Sequence, residues 1–291
     1  MQFPIIKKTT TGSKLFIFLL LFVFGLVFSS VLGMFITTIL GGDMSDIKNL
    51  QIMQICNQIV GFLLPPLAYV ALVKEEPLKY LGFKKLPTWS LLGVVAMFTV
   101  IPFIATVSEW NDSITFPESM KEIETILRNL NELNEATSEK LMNGSNLIVA
   151  LLIFGALAAI SEELLFRSVI QKAFVKIFRN AHVAIIVTSI VFSAFHGDFF
   201  GFFPRFILGL MLGYMFYLSS SIWASMLMHF ANNSAIVFLY YFNNKGIINI
   251  DVDNFGNTDS VLLIILSLIV TVAIFIVCYR LSSRRCDQTQ A

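Results

Sequence analysis

The sequence predicts an all-α polytopic membrane protein with about eight transmembrane helices. Three observations predict it. The chain of 291 residues is 56% hydrophobic, contains 29 phenylalanines and has a mean hydropathy of +0.79, beyond what a soluble domain of this length carries. Its apolar residues fall into discrete runs, most of them close to the roughly 20 residues that a helix needs to cross a hydrocarbon core. Its lysines and arginines gather in alternate connections between those runs, as cytoplasmic retention of basic residues requires.

The first run, residues 15–40, follows Lys7, Lys8 and Lys14. It is longer than the apolar stretch of a signal peptide and lacks a clear small-residue cleavage site, so a retained helix is expected. The second run, 50–73, precedes Lys74, Lys79, Lys84 and Lys85, and the third covers 89–107. Residues 108–146 then carry eight carboxylates, from Glu109 to Glu139, against Lys121, Arg128 and Lys140. Within them Ile123, Ile126, Leu127 and Leu130 recur at helical spacing, which predicts an amphipathic helix at the outer interface acting as a connector. The fourth run, 147–170, precedes Lys172, Lys176 and Arg179. The fifth covers 183–200, the sixth is the shortest at 206–218, and the seventh covers 222–242. The eighth, 261–279, precedes Arg280, Arg284 and Arg285. With both termini cytoplasmic, the basic groups flanking runs one, two, four and eight all fall on the cytoplasmic side and the acidic segment falls on the other. The compact size and loop style suggest a bacterial cytoplasmic membrane. Three parts are expected: N-terminal spans with the acidic segment (1–146), a core (147–242), and a loop with the last span and a basic tail (243–291).

Cysteine adds nothing, because Cys56, Cys278 and Cys286 fit no metal or disulfide spacing. The chemistry lies in charged residues kept inside apolar sequence. In "AISEELLFRS", Ala159 to Ser168, two glutamates and an arginine interrupt the fourth run, and each costs several kcal/mol to take out of water unless paired. Glu163 and Arg167 are four residues apart and share a helix face, whereas Glu162 lies about 100° around the helix. Glu163 is therefore expected to pair with Arg167, leaving Glu162 to act or to bond another span as a packing acid. Of three histidines, His182 falls in a basic loop, while His196 lies near the end of run five and His229 within run seven. Phe192 and Asn233 sit four residues from them on the same faces. Polar groups at membrane depth normally face the bundle interior, so convergence of Glu162, His196, His229 and Asn233 on one site is the economical arrangement.

Such a set suits hydrolysis of a peptide bond. Glu162 can take a proton from water, His196 can hold that water, and His229 and Asn233 can donate to the oxyanion of a tetrahedral intermediate. A proton relay would string acids and histidines along one path and gives Asn233 no part.

Three ordered patterns also carry a family resemblance: EExxxR as "EELLFR" from Glu162 to Arg167, FxxxH as "FSAFH" from Phe192 to His196, and HxxxN as "HFANN" from His229, with Asn233 in the last motif position. In these the chain resembles the CAAX protease and bacteriocin-processing family of intramembrane endopeptidases, over about residues 147–242. The loop "YLGFKKLPTW" is similar to one between early helices of bacterial members. The resemblance implies a catalytic core in spans four to seven, with Glu162 and His196 activating water and His229 and Asn233 stabilising the oxyanion. Glu163 and Arg167 would support the site, and Phe192 would pack it. Cofactors stay open between none and a divalent metal, zinc being possible with Glu162, His196 and His229 as ligands. The expected partners are the lipid bilayer and a membrane-associated peptide or protein substrate, prenylated or leader-type, and no nucleic acid. A non-catalytic scaffold or bacteriocin immunity protein is the alternative from another class.

Overall fold

The computed structural model describes residues 9–43, 46–73, 76–144, 146–252 and 254–288, with side chains described as far as 282. Lys7, Lys8 and Lys74, and the side chains of Arg284, Arg285 and Cys286, lie outside the described residues. Among the described residues the structure is helical throughout. In chain order the main elements are α1 (Thr11–Ile39), α2 (Ile47–Val73), α3 (Thr88–Thr99), α4 (Ile101–Asp112), α5 (Lys121–Gly144), α6 (Leu147–Phe178), α7 (Ala181–Ala194), α8 (Phe202–Ser219), α9 (Ile222–Asn244) and α10 (Val261–Gln288).

All eight apolar runs form helices, but their lengths do not confirm eight spans. Six helices are long and apolar enough to span a membrane, and α3 with α4 makes a seventh if the bent pair is one span. They meet at 47° beside Pro102, whose ring removes the amide hydrogen that would continue the helix. The sixth run, shortest in the sequence, becomes the 18-residue α8. The fifth falls short instead: α7 has 14 residues, about 21 Å at 1.5 Å per residue, against a core of about 30 Å. It stops because His196 and Gly197 turn the chain, with Gly197 at a φ of +67° that glycine adopts without strain.

Helix α6 is the centre of the bundle, packed against α1, α2, α7, α8 and α9. Its C-terminal half joins a core of Leu81, Leu165, Phe166, Val169, Phe192 and Ile222. At the periphery α1 and α10 turn Phe16, Phe24, Leu262 and Ile269 outward, as lipid-facing helices do. The amphipathic helix α5 is inverted relative to a soluble helix. Ile123, Ile126, Leu130 and Leu133 are exposed, while Glu124 is buried and Arg128 half-buried on the inner face. Arg128 donates to Asp112, to the carbonyls of Asp112 and Ile114, and to Glu124, and its guanidinium lies 4.0 Å from the Phe200 ring centroid. Those contacts fasten α5 over the end of α4 and the loop between α7 and α8.

Candidate active site

The middle of α6 is an α-helical turn, Ala158–Glu163, between π-helical stretches Leu151–Leu157 and Leu164–Gln171. A third π-helical stretch, Asn57–Leu63, faces it from α2, just ahead of Pro65 and Pro66, whose missing amide hydrogens disturb the regular helical ladder. Widened turns of this kind concentrate at functional sites, where they re-aim side chains. Here they present the two glutamates in different directions.

Glu163 points into the protein. It and Arg167 are both 0% exposed, and Arg167 Nε donates to Glu163 Oε2 at 3.2 Å, the i to i+4 pair expected from spacing. Glu163 Oε1 lies 3.1 Å from His229 Nδ1, so the carboxylate also holds that ring. Phe192 sits between these groups, its centroid 5.1 Å from the Arg167 guanidinium, 4.9 Å from the His196 ring and 6.0 Å from the His229 ring.

Glu162 points elsewhere, toward a cavity of about 550 Å³ that it shares with His196. Its Oε2 lies 4.0 Å from His196 Nε2 and 3.9 Å from His229 Nε2, too far for direct hydrogen bonds. One water molecule would bridge such gaps. The His196 Nδ1 is 2.9 Å from the Phe192 carbonyl, which can only accept, so Nδ1 carries a proton and a neutral ring leaves Nε2 as an acceptor. On the other carboxylate oxygen, Gln58 Nε2 lies 3.5 Å from Glu162 Oε1 while the Ser161 hydroxyl donates to Gln58 Oε1 at 2.5 Å. The carboxylate can only accept, so it faces the Nε2 end of the amide and leaves Oε1 to the Ser161 hydroxyl.

A tetrahedral zinc with bonds of about 2.1 Å would draw its donors to roughly 3.4 Å from one another. The separations at Glu162 are wider, and among the described residues no three histidine, cysteine or carboxylate groups are placed to hold a metal ion. Glu162, His196 and His229 as arranged therefore do not fit the zinc reading.

Four placements differ from the sequence reading. His196 lies in the turn after α7 rather than inside a span, because the helix ends at Ala194. Asn233 does not face the 550 Å³ cavity; its Nδ2 donates to the Phe154 carbonyl at 3.0 Å, where a π-helical turn leaves that oxygen accessible. Segment 121–144 is more than a connector, since Asn131, Asn134, Thr137 and Ser138 of α5 wall the cavity. Gln58 was not anticipated, although an adjacent Asn57 and Gln58 inside the second apolar run are themselves costly polar groups at membrane depth. Asp198 and Arg205 pair with each other across the α7–α8 loop, and they also line the cavity.

These features define an all-helical membrane protein with a carboxylate and two histidines gathered inside its helical bundle. Residues 144–235, about a third of the chain, match the family model described as type II CAAX prenyl endopeptidase Rce1-like, a protease family. No curated protein and no solved structure matches the chain.

Proposed function

We propose that the protein is an intramembrane endopeptidase that hydrolyses peptide bonds of membrane-associated substrates with a water activated by Glu162. The observation that carries this reading is the single carboxylate oxygen, Oε2 of Glu162, facing both histidine Nε2 atoms at 3.9 and 4.0 Å beside a cavity. A water held there gives its hydrogens to Glu162 and His196, which leaves its lone pairs free for a substrate carbonyl. Glu162 takes the proton as the water adds and returns it to the leaving amine. His229 Nε2 donates to the oxyanion when its ring carries both protons, and the second amide hydrogen of Asn233 is the one left for the same purpose. Glu163 and Arg167 hold His229, and Phe192 keeps both rings in place by packing. The protein acts as an integral membrane protein with both termini cytoplasmic.

The test compares membranes carrying the wild type and Glu162→Gln by mass spectrometry of new N-termini. Cleavage products present with the wild type and absent with the variant are expected. Identical N-termini in both would leave the scaffold reading in its place.

A further inference from the structure

The two faces of the bundle treat the site differently. Toward the connections rich in lysine, α6 is plugged. Phe166, Arg167 and Ser168 are buried, the Ser168 hydroxyl donates to the Leu81 carbonyl, and Gln171 donates to the Gly213 carbonyl. The plug continues through Phe216 and Ile222, whose amide donates to the Gly82 carbonyl. A separate cavity of about 310 Å³ lies on that side beside Lys79, Lys84, Lys172 and Lys176, and neither Glu162 nor either site histidine lines it.

Toward α5 the site is open. The 550 Å³ cavity is walled by α5, by Gln54 and Asn57 ahead of Gln58 on α2, by Phe154 ahead of Glu162 on α6, and by Ile236 and Tyr240 beyond His229 on α9. Most of these residues lie on the halves of their helices toward α5, while Phe62 and Phe166, just past the midpoints of α2 and α6, line the cavity where the plug begins. The short α7 accounts for the opening: starting at Asn180 beside the lysine-rich end of α6, about 21 Å of helix ends roughly 9 Å short of the far boundary, leaving His196 at the floor of a well. A second cavity of about 690 Å³ adjoins it, sharing Asn131, Glu135, Asp198, Arg205 and Ile236 as a common wall.

We infer that the substrate reaches Glu162 from the face that carries α5, opposite the lysine-rich connections. Basic residues mark the cytoplasmic side, so the scissile bond is presented on the non-cytoplasmic side of the membrane. This rests on the endopeptidase reading and narrows its substrates to polypeptide segments exposed on that face, which a prenylated cytoplasmic terminus is not. The polar inner face of α5, outside the family match, becomes the substrate-facing wall, and its exposed isoleucines and leucines lie against lipid.

The experiment uses the full chain in sealed vesicles of both orientations, with Asn134→Cys on the cavity wall and Lys79→Cys on the opposite connection. Membrane-impermeant maleimide should label Asn134→Cys only where the α5 face is outward, the orientation in which cytoplasmic markers are enclosed, and Lys79→Cys only in inverted vesicles. Labelled Asn134→Cys should then lose at least tenfold of its cleavage of a reporter taken from the comparison of N-termini. Labelling of Asn134→Cys only in inverted vesicles, or full turnover after labelling, would overturn the inference. Failure of the endopeptidase reading shows separately, as a reporter cleaved equally well by Glu162→Gln.

Discussion

The segment matched by the family model and the segment before it divide the site between them. Residues 144–235 supply the groups to which the proposed hydrolysis assigns roles, namely Glu162, His196, His229 and Asn233, together with the buried Glu163–Arg167 pair. The described residues before them hold Glu162 through Gln58 and wall the cavity with α5, which brings Glu135 into its lining. On the proposed function, the reaction chemistry belongs to the matched segment, while the stretch before it adds a wall to the cavity. Changes in the core should therefore stop turnover or folding, whereas changes before it should tune rate and selectivity.

The largest expected effect is at Glu162. Glu162→Gln preserves shape but cannot accept a proton, and turnover should fall by about a thousandfold or more, measured on a purified reporter. Asn233→Ala should retain more, a loss of about 100- to 1000-fold for one oxyanion donor. Next comes the buried pair: Arg167→Ala leaves Glu163 without its cation, and the penalty for an orphaned buried charge is about 3–5 kcal/mol, read as loss of folded protein in thermal or denaturant unfolding. Replacing both partners with apolar residues should recover more folded protein than the single change. Outside the core, Gln58→Leu should lower kcat about tenfold with KM nearly unchanged, because it acts on Glu162 and not on substrate. The same substitution should cost little further in a Glu162→Gln background; equal loss in both backgrounds would assign Gln58 a purely structural role.

The smallest effect concerns the anchor of α5. Glu124 accepts from the Phe116 amide, from Lys121 and from Arg128, and these contacts, the Phe116 bond first, hold its carboxyl down at about 2 against an ordinary 4.5. A depressed carboxyl contributes stability that is complete above its unfolded value and is lost as pH falls toward the folded one. Hydrogen exchange around residues 113–130 should therefore accelerate as pH drops from about 4.5 toward about 2, after correction for intrinsic rates. Glu124→Gln should show the faster exchange already at neutral pH and remove that step.

Much of this was legible in the sequence for a physical reason. Apolar length and the alternation of basic residues report membrane helices directly, and Glu163 with Arg167 follows from the geometry of one helix turn. Where spacing within one helix decides a contact, reading the residues suffices. The contacts of Gln58 with Ser161 and Glu162 span more than a hundred positions and depend on π-helical turns that composition does not announce. For α5 the apolar stripe predicts an interfacial helix, but nothing in its spacing shows that its polar face walls a cavity. The length of α7 was overread because the apolar run continues through Phe199 and Phe200 beyond the turn at Gly197.

The central claim is that two adjacent glutamates do opposite jobs, one reacting and one holding the frame. Purified Glu162→Gln and Glu163→Gln, measured side by side for turnover of the reporter and for thermal stability, test it most directly. The account predicts that Glu162→Gln unfolds close to the wild type but turns over at least about a thousandfold more slowly. Glu163→Gln, which leaves Arg167 buried without a counter-charge, should be the one that loses stability, by about 3–5 kcal/mol. Near wild-type turnover by Glu162→Gln, or the two losses exchanged between the variants, would contradict it.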